Sequence, residues 1–327
     1  TLAEARARAQ AERKLLADKI DPIETRRAKF MSARLESAKS ITFEEAAEQY
    51  IATHEAGWRN AKHVAQWRNT LKTHAMPKLG TLPVQAIDTG LVLAVLEPIW
   101  STTTETATRL RGRIEKILDW AKVRGYRSGD NPAVWGGHLQ NLLAAPKKIA
   151  KVEHHPALPY ADIGRFMKAL RAAPGDGARA LELAILCGSR SGEVRGATWS
   201  EFDLDAMVWT IPAGRMKAER EHRVPLSGAA AALLATLPRS PDSDLLFPAR
   251  TGAPLSDMTL TAAVRRLHAA DLKAGGAGFF DPKQHKPVTV HGFRSTFRDW
   301  IGEQTSYPRN VAEMALAHAI GDKVEEA

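Results

Sequence analysis

Leu181-Glu-Leu-Ala-Ile-Leu-Cys-Gly-Ser-Arg-Ser-Gly-Glu193 is the stretch on which the reading of this chain turns. Its first half is an apolar helix carrying Leu181, Leu183, Ile185 and Leu186. Arg190 follows between two glycines, where the end of a buried helix can hold a guanidinium rigidly. Glu193, three residues on, is placed to pin it. Taken alone, the arginine also reads as a helix-end cation neutralising the dipole. A second stretch, His291-Gly-Phe-Arg294, opens a helix. Its His and Arg lie three apart, so they share a face in the first turn, where free N–H groups favour a phosphate. By itself that pair equally describes a surface histidine beside a solvated arginine. Lys217 falls at the tip of an expected hairpin among Arg215, Arg220, His222 and Arg223, and His318 stands at a helix end. Each of these also has an ordinary reading, a solvated loop or a cap. Together they form a cationic and imidazole set suited to one phosphodiester.

The bulk composition narrows the surroundings. The chain has 327 residues, too many for one ordinary domain, and 44% of them are hydrophobic, with 8 Trp, enough for real cores. Lys and Arg exceed Asp and Glu, 46 against 37, which favours a polyanion as partner, nucleic acid before membrane surface. No apolar stretch reaches the roughly 18 residues of a membrane span. The single cysteine, Cys187, excludes an internal disulfide framework and fits a cytoplasmic setting. There is no Cys cluster, no H-E-x-x-H and no clear carboxylate constellation, so neither metal nor cofactor is expected.

The pattern along the chain predicts a mainly α protein with a small β component: an all-helical domain followed by a mixed α+β domain. Residues 1–40 read as the tail of an upstream module and a helical connector, with a helix ending near Lys19 and a new one capped by Asp21 ahead of Pro22 and Glu24. Residues 41–143 read as a compact all-helical domain with a basic side. It opens at the capping box Thr42-Phe-Glu-Glu45, with Ala46, Ala47, Tyr50 and Ile51 inward. Further helices carry Val64, Trp67 and Leu71, follow Asp88, and run from the 101–104 cap region to Gly125. In the last of these Leu110, Ile114, Ile117, Leu118 and Ala121 face in, leaving Arg109, Arg113, Lys116 and Arg124 for a basic face. Residues 144–157, with Lys147, Lys148 and Lys151, read as a basic linker able to track a phosphate backbone. The unit 158–327 should hold helices at 161–172, 176–187, 228–236, 257–271, 291–304 and 308–318, with strands at 207–212 and 221–225. Residues 274–287 read as a surface insertion.

The order and spacing of these segments carry a resemblance. Cys187–Trp199, Trp209–Ser227, Val290–Trp300 and Leu316–Ala327 resemble the catalytic domain of tyrosine recombinases, in particular the integrases of temperate phages and genomic islands. Leu2-Ala-Glu-Ala-Arg6 and Asp21-Pro22 resemble the end of that subfamily's arm-binding domain. The resemblance implies a site-specific recombinase that integrates or excises a mobile element through a covalent 3′-phosphotyrosine intermediate, without metal. It places Arg190 and Arg294 on the scissile phosphate, Lys217 as general acid for the leaving 5′ oxygen, and His291 and His318 as proton-transfer and phosphate-binding groups. Glu193 becomes a supporting residue, and residues 41–143 become a core-type DNA-binding domain. Arg109, Arg113, Lys116, Lys147, Lys148, Lys151, Arg215 and Arg220 are the expected further DNA contacts. The implied partners are double-stranded DNA at attachment sites, three further copies of the chain in a tetrameric synapse, and an excisionase or host DNA-bending protein. No membrane is involved.

The same resemblance puts the nucleophilic tyrosine directly after Ala327, so that the chain as written is expected to bind DNA without cleaving it. Tyr50, Tyr126, Tyr160 and Tyr307 are not in place to substitute. A non-catalytic or decayed DNA-binding relative and a type IB topoisomerase-like enzyme are the competing readings. A pure binder has no need of Arg190, Lys217, His291, Arg294 and His318 at once. RNA binding fits least, because the aromatics read as helix-core residues.

Overall fold

Thr42 starts the first buried helix through a reciprocal cap: its hydroxyl accepts from the Glu45 N–H at 3.3 Å, and the Glu45 carboxylate accepts from the Thr42 N–H at 2.9 Å. The computed structural model describes residues 1–38, 40–58, 61–150 and 153–318, and it divides into two units, Thr1–Val152 and Glu153–Ala327.

The first unit begins with α1 (Leu2–Ala17) and α2 (Pro22–Ala38). Asp21 accepts from the Ile23 N–H at 2.7 Å, which fixes the start of α2. Leu2, Leu16, Ile20, Ile23, Phe30 and Met31 stay exposed, and α1 buries none of its residues. The core belongs to α3 (Phe43–His54), α4 (Ala61–Thr70), α5 (Met76–Leu79), α6 (Thr89–Trp100) and α7 (Thr104–Val123). Residues Leu71–Ala75 between α4 and α5 form a π-helical turn. Pro77 explains it: proline has no N–H for the carbonyl four residues back and its ring collides there, so the helix widens ahead of it. Asp88 caps α6 by accepting from Leu91 at 2.8 Å. On α7 the five residues expected inward, Leu110, Ile114, Ile117, Leu118 and Ala121, are all fully buried.

Two expectations need correction in this unit. Arg113 does not belong to the basic face of α7. It is 7% exposed, lies over the Trp67 ring at 5.3 Å and donates to the Gln66 carbonyl at 2.9 Å. The register that buries Ile114 and Leu110 turns it inward as well. The expected linker is also not free throughout: Pro146–Ile149 forms the short helix α8, and Ile149 packs on the helical core. Lys147 and Lys148 on α8 are exposed, and Lys151 lies outside the described residues.

The second unit is mixed. In chain order its helices are α9 (Ile163–Ala172), α10 (Asp176–Leu186), α11 (Ser191–Arg195), α12 (Gly228–Ala235), α13 (Thr259–Lys273), α14 (Gly292–Gln304) and α15 (Arg309–Ala315). A three-stranded antiparallel sheet runs β1 (Phe202–Asp203), β2 (Val208–Ile211), β3 (His222–Pro225). In the β2–β3 register Val208 faces Pro225 and Ile211 faces His222. Trp209, Ile211 and Val224 put one face of this sheet into the core with Phe166, Leu181 and Phe247. The protein is thus mainly α with a small β component.

The segment 274–287 is not a mere surface insertion. It forms a second hairpin, β4 (Phe280–Asp281) with β5 (Lys286–Pro287), anchored by the fully buried Phe279. Asp281 is 6% exposed and accepts from the N–H groups of Ala157 at 2.9 Å, Lys283 at 2.8 Å and Gln284 at 3.1 Å. A buried carboxylate with three backbone donors holds residues 156–157 against the hairpin. Among the described residues no helix is long and apolar enough to cross a membrane.

Candidate active site

Helix α10 ends in a left-handed turn. Gly188 has φ +61, its N–H reaches the Ile185 carbonyl at 3.3 Å, and the Ser189 N–H reaches Ala184 at 3.1 Å. This double bond pattern requires positive φ, which glycine adopts without strain. The chain then reverses into α11, with Arg190 as the residue before its first turn. Glu193 accepts both the Arg190 backbone N–H at 2.7 Å and its guanidinium at 2.8 Å. The carboxylate is buried, so the pin expected from the sequence is rigid.

Arg294 enters from α14. It is 5% exposed, donates to the Gly188 carbonyl at 2.5 Å and to the Leu316 carbonyl, and approaches His318 Nε2 at 3.2 Å. Arg190 reaches the next carbonyl of the same turn, Ala317, at 3.2 Å. The two guanidinium groups therefore meet at the C-terminal end of α15, where the helix dipole is negative. That end closes like α10: His318 N–H bonds the Glu313 carbonyl and Ala317 N–H bonds Met314, both at 2.9 Å. Here, however, the left-handed position is an alanine, Ala317, with φ +48. An L-residue there carries about 1–2 kcal/mol of strain. Ala317→Gly is expected to raise stability by about 0.5–1 kcal/mol, read from the denaturation midpoint; a lower midpoint would contradict the strain.

Imidazoles surround the pair. His291 precedes α14 and stacks edge-on against His155 at 4.5 Å. His318 Nδ1 lies 2.5 Å from the Glu313 carboxylate. His222 on β3 is half-buried and feels Glu193, Arg190 and Arg294. Burial pulls the Arg294 guanidinium down to about 10, and the charge of Arg190 adds to this. A buried cation with so little compensation favours the arrival of an anion.

Burial also lowers His291, with help from His155, Arg294, Arg190 and His318, and it lowers His222 against the pull of Glu193. Both folded-state values sit below the unfolded one near 6.5, so the unfolded chain takes up more protons as pH falls past that point. The contribution of these histidines is present above about pH 6.5 and is lost as pH falls through their folded values. The urea midpoint is therefore expected to fall as pH drops below about 6.5, and His291→Asn to flatten that fall. A midpoint that rises on acidification would contradict this sign.

Of the residues singled out in the sequence, Arg190, Glu193, His291, Arg294 and His318 come together. Lys217 sits in the exposed turn between β2 and β3, and His222, which ends that turn, faces the cluster. Arg220 is exposed. Arg215 is a correction: its guanidinium binds the Glu201 carboxylate and the Glu193 carbonyl, so it fastens the hairpin to α11 rather than pointing outward. Arg109 and Lys116 remain exposed on α7, with Arg109 paired to Glu105 at 2.8 Å. Sequence reasoning missed His155, Glu313 and the part played by His222. None carries a motif, and His155 lies far along the chain from its partner.

Other nucleophiles are poorly placed. Cys187 is buried and its thiol is pushed up to about 12. The Tyr160 hydroxyl donates to Glu303 at 2.9 Å, and that bond raises its pKa, the opposite of activation. Tyr307 is 65% exposed, and Tyr50 and Tyr126 pack on the core of the first unit. The Gly321–Ala327 stretch, which the resemblance places just ahead of the nucleophile, lies outside the described residues.

Comparison with known proteins decides the family. Residues 43–138 match the phage integrase central domain, and residues 157–325 match the phage integrase family. The chain belongs to the phage integrase family. Its activity class is site-specific DNA recombination by an enzyme of the tyrosine recombinase type. The integrase of Enterobacteria phage P4 is 31% identical, over 100% of this chain and 72% of the relative. Prophage integrase IntZ of Escherichia coli K12 is 32% identical, over 97% and 73%. A lambda integrase dimer bound to a COC′ core site shares the fold, with TM-score 0.67 and 17% identity over 97% of this chain and 84% of that one. A lambda integrase tetramer bound to a Holliday junction has TM-score 0.66 and 18% identity, over 90% and 82%.

Proposed function

We propose that the Arg190–Arg294 pair grips the scissile phosphodiester of a double-stranded attachment site and that the chain acts on it by metal-independent cleavage and rejoining. The observation that carries this reading is the convergence of two guanidinium groups from separate helices on one turn, with His291 and His318 beside them. In the cleavage step a tyrosine hydroxyl passes its proton to a neighbouring imidazole, His291 or His318, and its oxygen bonds to phosphorus. The bond from phosphorus to the 5′ oxygen breaks as that oxygen leaves with a proton from Lys217. The enzyme–DNA bond is itself a phosphodiester, so rejoining needs no ATP. The two arginines offset the charge that develops on the non-bridging oxygens. Arg109, Lys116, Lys147 and Lys148, all exposed, contribute backbone contacts. Four copies of the chain would form the synapse, with an excisionase or host DNA-bending protein as accessory, in the bacterial cytosol where the DNA lies. The structures of lambda integrase with DNA, as a dimer and as a tetramer, support the DNA and assembly parts of this reading.

The test is covalent capture. A form of the chain carrying a tyrosine after Ala327 is incubated with an end-labelled attachment-site duplex, and the adduct is resolved under denaturing conditions. An adduct on the 3′ phosphate that survives EDTA supports the proposal; a metal-dependent nick with free ends refutes it. Binding should weaken steeply with salt, and Lys147→Ala should lower the slope of log K against log salt by about 1.

A further inference from the structure

His318 is held from both sides. Its Nδ1 lies 2.5 Å from Glu313 Oε2, and its Nε2 lies 3.2 Å from Arg294 Nη2. A guanidinium has only donors, so the Nε2 facing it must present a lone pair, which places the ring proton on Nδ1. That proton points at the Glu313 carboxylate. Glu313 is mostly buried, and its bond to His318 keeps it ionised by lowering its pKa. The closing turn of α15 sets the geometry, because the His318 N–H bonds the Glu313 carbonyl of the same helix. One residue thus fixes both the backbone and the ring of the histidine.

We propose that Glu313 is the positioning residue of the active site: it selects the Nδ1–H tautomer of His318 and aims Nε2 at the Arg294 guanidinium and the phosphate it would bind. This rests on the phosphate-gripping reading above. Glu313 touches no substrate and acts through the imidazole, as outer partners of functional histidines do. The charged and titratable groups around the dyad include Arg294 and Arg298 from α14, Arg309 on its own helix, and Arg190, Glu193, His222 and His291 across the cluster. Arg309 lies 3.8 Å from the other Glu313 oxygen, at a helix surface where such a pair contributes little.

Two readouts test it. First, the 327-residue chain is labelled with ¹⁵N-histidine, and the His318 ring signals are assigned by their loss in His318→Asn. The expected spectrum shows Nδ1 protonated. Glu313→Ala should shift the ring toward the Nε2–H form, whereas Glu313→Gln, which keeps an acceptor oxygen, should retain Nδ1–H. An Nε2–H signature in the parent chain, or an unchanged ring in Glu313→Ala, overturns the assignment.

Second, adduct formation is followed in the tyrosine-bearing form. Glu313→Ala should slow it about 10- to 100-fold at unchanged DNA affinity, with Glu313→Gln recovering most of the loss. Full activity in Glu313→Ala alongside a slow His318→Ala defeats the positioning role alone. Full activity in His318→Ala defeats the reading of the site, and the role of Glu313 falls with it.

Discussion

Replacing Arg294 by alanine is expected to lower strand cleavage by about 10³-fold or more in the tyrosine-bearing form, while site binding survives. One preorganised donor at a developing oxyanion is worth about 10²–10³ in rate, and Arg294 supplies a charge as well as paired donors. Its guanidinium is desolvated and drawn down to about 10, so an arriving phosphate restores what burial removed. Binding would depend instead on the many exposed cations, so the loss of this one buried phosphate contact should change the salt slope by only about 1. Arg294→Lys should recover little: a single ammonium cannot span the Gly188 and Leu316 carbonyls and still present a fork to phosphate. Truncation also leaves those carbonyls unpaired, so melting must be measured beside the rate. Cleavage within a few fold of the parent by a folded Arg294→Ala would end the assignment.

The second large effect is structural and lies two residues away. A Cβ on Gly292 would stand 1.9 Å from the Pro156 carbonyl oxygen and 2.7 Å from its carbon. Both atoms are backbone, and neither can give way. The Pro156 oxygen accepts from the Thr289 N–H at 3.1 Å, and the next N–H, Ala157, is held by Asp281 at 2.9 Å. Gly292→Ala is therefore expected to cost about 3 kcal/mol and to disturb the His155–His291 contact, lowering both the denaturation midpoint and cleavage. Gly302 in the same helix is the control, since nothing lies within 4 Å of its Cβ position. There alanine should be neutral or stabilising, by up to about 1 kcal/mol. Equal midpoints for the two variants would show that residues 156–157 can move aside.

The glycine of the His291-Gly-Phe-Arg294 motif thus has a packing reason that the sequence did not disclose, because its counterpart, Pro156, lies far back along the chain. The helices were legible for the opposite reason. Their apolar spacing and caps are local, and the expected inward face of α7 and the cap at Thr42 are the ones observed. That Arg190, Glu193 and Arg294 belong together was legible through motif and resemblance, and the structure brings them to one turn. Arg113 and Arg215 were misread as outward cations because periodicity reports which face a residue occupies, not whether a tryptophan or a carboxylate waits there. The 274–287 hairpin was missed because glycine-rich composition conceals a buried Asp281 whose donors are backbone groups. Glu313 went unnoticed because a five-residue interval meets on a helix only where the helix ends in a left-handed turn.

That Arg294 is satisfied by carbonyls 106 and 22 positions away in the chain has a consequence for the safety of the host genome. Neither half of the second unit can build the proposed centre alone, because Gly188 and Arg190 come from one half and Arg294, Leu316 and Ala317 from the other. In a nascent, nicked or partly melted chain the guanidinium groups would lose this anchorage and His318 its bearing. Distant pairing of this kind forms late in folding, after the loop entropy between its partners has been overcome. On the phosphate-gripping reading proposed above, catalytic competence would be tied to this late, long-range pairing. A protein able to break chromosomes gains from having no half-folded state that can do so.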